Sequence, residues 1–414
     1  MSDTGKPSTR SLLVMVLALA CAAVLLLAWP QEYRRATANC TPRTVTSWSP
    51  DGNTTAEFAR YGNDGARSDD WTGGDGTHSV QLPNEQILWL FSDTYLGQVH
   101  RPPNLQGQRY DWRDPVSPFV RNSAIVMGPG GRLERTLPSP LFPDPAPQQW
   151  RWPVAAQVEP RSPGSSAQVV RVVLWTRAAS EAPWIYGAPI ATEVATLSLP
   201  DLRLEGIVRI SDQSTVQDPA KRVVYGTTAV HLDGFTYIYG GNDGKAVRRP
   251  ASQAYLARAP SGRLAEPEAW RYWDGEGWSE AAAEARPVLG DGERKGVGSA
   301  FTVVRHEGTW VLFTMAAGTE GLRSITSYWS CTPQGPWHGP GGDFRPPLPP
   351  DAAEPQNTAA YNPQVHPELG GEGLALSYDV NWLDATPQVA ASHITRNVSL
   401  YRPRFVRLHL AEPE

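Results

Sequence analysis

A two-strand motif recurs five times along this chain and limits its fold more than any other feature. Each copy is a run of alternating apolar and polar residues, a turn carrying Gly or Asn, and a hydrophobic run with aromatics, the pattern of a β-hairpin. Thr77–Leu82 leads through Pro83–Gln86 to Ile87–Phe91, and Thr228–Leu232 leads through Asp233-Gly234 to Phe235–Tyr239. Phe301–Val304 leads through His306–Gly308 to Trp310–Phe313, and Pro363–His366 leads through Gly370–Gly373 to Leu374–Tyr378. A weaker copy joins Val154–Val158 to Val169–Trp175. Further strand-like sequence follows at Ala191–Leu199, Gln253–Ala259 and Ser324–Ser330. A repeat that cannot bury its own face, copied about five times, predicts an all-β fold, a five-bladed β-propeller over residues 51–414. A β-sandwich is the rival, but it has no need for one hairpin to recur in the same form. With 39 Pro, 37 Gly and 16 Trp, the composition suits short strands and turns better than helices.

The hairpin geometry has a consequence for the carboxylates. Antiparallel strands put the start of the first strand and the end of the second on one side. In a propeller that side is one mouth of the central channel. Asp75 stands where the first hairpin begins and Asp93 where it ends; Asp243 follows the third hairpin, and Asn362, Asp379 and Asn381 flank the last. Carboxylates from three blades are therefore expected to face one funnel. Hydrolysis of a glycoside needs two carboxyl groups across a sugar, one protonated and one ionised, and crowding drives their pKa values apart. In this reading Asp75 is the base or nucleophile, with Asp93 and Asp243 as acid or pKa-tuning partners. The bland alternative for each is turn chemistry, since Asp is common in Gly-rich turns. Trp71, Trp112 and Trp382 fall in expected loops beside these motifs, placed to stack on sugar faces. Trp270, Tyr272, Trp273 and Trp278 read as outer-blade packing. His366 lies on the last inner strand, either holding a channel-bound metal ion or water or packed as a core residue. No zinc spacing, phosphate loop or Gly-x-Ser-x-Gly motif is present, so the sequence requires no cofactor. A net charge of −5 without a basic cluster gives no footprint for nucleic acid.

The apolar run Leu12–Trp29 follows Lys6 and Arg10 and is long enough, at about 27 Å, to cross a bilayer. Residues 1–30 read as an uncleaved signal anchor, a cleaved signal peptide, or a lipidated leader ending near Cys21, and residues 31–50 as a linker. Arg34 and Arg35 follow the run, so basic residues flank both ends and charge alone does not orient it. Cys40 and Cys331 are either one disulfide in an oxidising compartment or two free thiols. The expected location is the cell membrane, with an extracytoplasmic propeller, or outside the cell; oligomeric state leaves no signal.

Several stretches resemble a domain-of-unknown-function family of secreted actinobacterial propellers. They include Trp71–Gly76, Leu88–Gly97, Arg121-Asn122-Ser123, Ala254–Pro260, Gly335-Pro336-Trp337, Tyr361–Leu369 and Ser377–Asn381. That family is similar to five-bladed propeller glycoside hydrolases, some of them endo-acting on D-arabinan of the cell envelope. The resemblance implies Asp75 and Asp93 as the first carboxylates to test, with Asn122, Asn362 and His366 forming the site around them. It departs from the pattern at Gly298-Ser299-Ala300, where an Asn-Glu pair is expected. The expected function is hydrolysis of an extracytoplasmic polysaccharide; the alternative is a non-catalytic propeller binding a glycan or a protein.

Overall fold

The computed structural model describes residues 40–66, 70–181, 184, 186–242, 252–317, 323–349, 357–382 and 386–413. The leader and the first part of the expected linker lie outside the described residues. Among those described, no helix is long and apolar enough to cross a membrane.

All five hairpins form where the alternation places them, and each is the start of an antiparallel sheet. Sheet I comprises His78–Gln81, Ile87–Phe91, Ser123–Met127 and Leu133–Thr136. Sheet II comprises Gln149–Pro160, Gln168–Ala178, Ala188–Ser198 and Leu204–Asp212. Sheet III runs through Val223–Leu232, Phe235–Asn242 and Ala254–Pro260 to two short strands, Arg271–Trp273 and Trp278–Ser279. Sheet IV is Thr302–His306, Thr309–Met315 and Ile325–Ser330. Sheet V is Thr358–Val365, Leu374–Trp382, Arg404–Ala411 and, on its outside, Thr44–Pro50. The expected linker thus contributes a strand to the last sheet, a pairing across some 360 residues that local pattern does not reveal. Two hairpin turns show why their sequences are what they are. Asp233-Gly234 and Glu307-Gly308 both take positive φ at each residue (52° and 78°, 47° and 87°), as the tight two-residue turns of twisted strands require.

Apolar clusters fill the spaces between successive sheets. Leu88, Leu90 and Val126 meet Val170, Val172 and Leu174 between sheets I and II, while Val173 and Trp175 meet Tyr225 and Ile238 between II and III. Tyr239 and Leu256 meet Val303 and Leu312, and Val311 and Phe313 meet Leu376 and Val406. The last cluster joins Phe405 of sheet V to Trp89, Phe91 and Ile125 of sheet I. No sheet closes on itself among the described residues; packing links the last sheet to the first. The first strands of all five sheets line one cavity of about 560 Å³.

Two helices qualify the expectation of an all-β chain. Helix α1, Gly52–Gly62, is capped by Asp51, which accepts from the Thr54 N–H at 3.0 Å, and buries Phe58 and Tyr61 in the last cluster. Helix α2, Pro387–Arg396, buries Ala390 and Ile394. Cys40 and Cys331 form a disulfide that spans 291 residues, with Cα atoms 5.4 Å apart.

Candidate functional site

The first hairpin sets Asp75 and Asp93 side by side. The Asp75 N–H donates to the Asp93 carbonyl at 3.2 Å, and the Ser92 N–H donates to the Asp75 carbonyl at 2.7 Å. Glycines make this approach possible. A Cβ on Gly73 would overlap the Arg113 guanidinium and the Tyr401 carbonyl, and one on Gly76, at φ 63°, would overlap Ser92. The channel cavity reaches the turns at Glu307-Gly308 and Pro367-Glu368 and is lined by neither aspartate. Asp75 and Asp93 therefore occupy the opposite end of the first strands, the open end of the hairpins, as antiparallel pairing dictates.

The two carboxyls sit in different surroundings. Asp75 accepts from the Tyr361 hydroxyl at 2.8 Å, and the Asn381 amide donates to that hydroxyl at 3.4 Å. Burial, then the charges of Asp93 and Asp379, push Asp75 well above the usual carboxylate range, against hydrogen bonds from Tyr361 and Tyr401. Asp93 is gripped by cationic and neutral donors: Arg121 Nη1 lies 3.2 and 3.0 Å from its two oxygens, and Trp152 Nε1 donates at 2.8 Å. Burial raises Asp93 too and leaves it above its ordinary value, although Arg121, the Trp152 hydrogen bond and Arg177 all favour its charge. The Arg121 guanidinium is itself held 4.3 Å from the Trp150 ring and 5.3 Å from Phe119, and Arg177 lies 5.0 Å from the Trp152 ring.

Asp379 is nearly sealed at 1% exposure and ties sheet V to the turn carrying Asp75. It accepts from the Gly76 N–H and the Thr77 hydroxyl, both at 2.7 Å, and from the Asn362 amide at 3.2 Å. Burial lifts its pKa to about 6 against those three hydrogen bonds.

The sequence-predicted residues divide accordingly. Asp75, Asp93, Asp379, Asn362 and Asn381 converge, while Asp243 lies outside the described residues, so the convergence spans sheets I and V. Trp71 is not a loop residue: it lies on the strand Asp70–Gly74, 1% exposed, packed on Phe58 and Phe91. Trp382 is likewise buried on a strand, stacked on His393, and Trp112 is half-buried against His100. Trp270 and Tyr272 pack in the core as expected. Asn122 is fully buried and structural, donating to the Phe142 and Arg151 carbonyls and accepting from the Phe142 N–H. His366 is sealed between Trp89 and Phe405, and burial lowers its pKa to about 3. Its Nδ1 meets the Ser79 hydroxyl and its Nε2 the Ser377 hydroxyl, so both ring nitrogens are taken and neither suits a channel ion. Among the described residues, no group of three or more His, Cys, Asp or Glu side chains is placed to hold a metal. Sequence reasoning missed Tyr361, Tyr401, Arg121 and Trp152. Tyr361 and Arg121 stand beside residues already singled out, whereas Trp152 offered only its alternation with Trp150.

A family model described as a domain of unknown function, DUF5005, matches residues 57–410. No curated protein matches the chain. Among solved structures, a putative hydrolase from Bacteroides ovatus aligns with a TM-score of 0.62 at 19% identity, covering 87% of this chain and 90% of that one. That likeness bears on the fold alone. An α-L-arabinofuranosidase from Podospora anserina, in complex with cellotriose, aligns at a TM-score of 0.44 and 12% identity, covering 84% of this chain and 93% of its own. An α-L-arabinofuranosidase catalytic domain from Coprinopsis cinerea aligns at 0.44 and 11%, covering 83% and 92%. These two similarities are too low to carry an argument.

Proposed function

The chain belongs to the DUF5005 family, and on that premise we propose that it is a five-bladed β-propeller glycoside hydrolase acting on an extracytoplasmic polysaccharide. Envelope D-arabinan is the first substrate to test. One observation carries this reading: Asp75 and Asp93, joined through their backbones at the open end of one hairpin, have unequal electrostatic support. Asp75 faces two other carboxylates and is raised well above the usual range; Asp93, raised less, has Arg121 and Trp152 to favour its charge. That asymmetry is what splits acid from base in glycoside cleavage. Asp75 is then the general acid that protonates the leaving oxygen, and Asp93 the ionised base or nucleophile. This reverses the order expected from sequence, because burial and neighbouring charges, and not strand position, set the two pKa values. Asp379 keeps the pair apart in pKa by adding a second negative neighbour to Asp75.

The Cys40–Cys331 disulfide fits an oxidising compartment, and with the apolar run Leu12–Trp29 it supports a domain held at, or released from, the outer face of a membrane. The test is incubation of the protein with cell-wall D-arabinan and other envelope glycans. Asp75→Asn and Asp93→Asn are each expected to cut sugar release at least about 10³-fold. Equal release by wild type and both variants would falsify catalysis at this pair. A glycan-binding propeller without catalysis is the second reading, favoured by Gly298-Ser299-Ala300 where an acid is expected; it predicts binding without release.

A further inference from the structure

Two large aromatic side chains are exposed among the described residues, Phe119 at 43% and Tyr186 at 41%. Phe119 stands beside the Arg121–Asp93 pair, and Tyr186 belongs to a loop packed on Trp150 and Arg177, so the two come from different elements. Phe119 belongs to the short strand Phe119–Val120, which pairs with Thr94–Gly97 and sets Phe119 opposite Tyr95, two residues beyond Asp93. Its ring meets Tyr95 edge-on at 5.1 Å, and the Arg121 guanidinium that grips Asp93 lies 5.3 Å away. Tyr186 lies between the second and third strands of sheet II, and its hydroxyl, raised by burial, also feels the charge of Asp75. The next residue, Gly187, accepts from Arg177 Nε at 3.1 Å and Nη2 at 2.6 Å. Arg177 in turn lies over Trp152, the residue that donates to Asp93. A side chain on Gly187 would overlap Trp150, so this loop is pressed onto the wall of the site.

Phe119 thus touches the arginine that grips Asp93, and the loop carrying Tyr186 is tied through Arg177 to Trp152, which donates to Asp93. Aromatic faces anchored at one edge and open at the other give up little conformational freedom on binding. They suit ligands that present an apolar C–H face with polar edges, which is the surface of a neutral sugar ring. We propose that Phe119 and Tyr186 form the aromatic platform on which successive sugar rings stack beside Asp75 and Asp93, so that the site takes a neutral oligosaccharide of at least two units. This rests on the glycan reading above and adds chain-length selection and the residues that impose it.

The experiment is calorimetric binding of D-arabinan and xylan fragments, one to four sugars long, to the full chain carrying Asp75→Asn, so that cleavage does not intervene. Affinity is expected to rise with chain length up to at least two sugars. Phe119→Ala and Tyr186→Ala, each added singly, are expected to weaken binding of the longest fragment about tenfold or more, about 1.4 kcal/mol. Phe119→Tyr and Tyr186→Phe are expected to restore it, since they return the ring. Equal affinity with and without the two rings, in variants that melt like the parent, overturns the platform while leaving the carboxylate reading standing. Binding that depends on both rings, in a chain whose wild type releases no sugar, keeps the platform and removes catalysis. No binding of any fragment overturns both.

Discussion

At the scale of single residues, hydrogen bonds temper the rise that burial imposes on both carboxyls. Tyr361 stabilises the charged form of Asp75, so Tyr361→Phe should raise the Asp75 pKa further. With Asp75 as the acid, the alkaline limb of the pH–rate profile should move up by about 0.5–1 unit, the equivalent of one hydrogen bond. A limb that moves down, or a profile that does not move, counts against Asp75 as the acid. Asp379 gives a second residue-level expectation. Its pKa is lifted from 3.8 to about 6, so its contribution to stability is fullest below the unfolded value and is lost as pH rises through the folded one. Asp379→Asn retains an acceptor for the Gly76 N–H but carries no charge to bury. The melting temperature of the variant minus that of wild type should therefore grow between about pH 4 and pH 6.5 and then level off. Thermal melts across that range check it, and a flat difference would sink the assignment. His78 and His366, both lowered to about 3 by burial, act in the opposite sense in the two proteins alike, which is why the difference is the quantity to read.

Among the elements, the hairpins carry the fold, and their turns are its most legible parts. Gly234 sits at φ 78° with open space around its Cα, so an added Cβ meets no atom and the cost is backbone strain alone. Gly234→Ala should destabilise by about 1 kcal/mol in denaturant unfolding. Gly206, also in open space but on a strand, is the control: Gly206→Ala should change stability by less than about 0.5 kcal/mol. Equal effects at the two positions would mean that the turn conformation is not what holds glycine there. The strands that surprised were those without a nearby partner. Thr44–Pro50 pairs with Arg404–Ala411, and no alternation within seven residues says which distant edge will receive it. Helix α1 was hidden for a related reason: what draws it into place is Phe58, inserted among Trp71, Trp89 and Phe405.

For the whole molecule, closure is the governing problem. The first and the last described strands pair in sheet V, and the disulfide fastens the segment ahead of Thr44–Pro50 to the end of sheet IV. A crosslink spanning 291 residues removes a large loop entropy from the unfolded chain, giving about 3–5 kcal/mol. Cys331→Ser should lower the melting temperature by several degrees, and Cys40→Ser by the same amount. The double variant should lose no more than either single one, since all three remove one bond. Additive losses would show that the two sulfurs act separately. The division between sequence and tertiary structure follows from range. Periodicity and turn residues act over a few positions, so the sequence by itself determined the five hairpins, the end of each at which its first strand starts and its second stops, and hence the adjacency of Asp75 and Asp93. What those carboxylates become was decided by Tyr361, Trp152 and Arg121, which arrive from 286, 59 and 28 residues away. The same range explains why Trp71 and His366 left the expected site: whether a ring faces solvent or core depends on the neighbouring sheet, and only packing the sheets together supplies that neighbour.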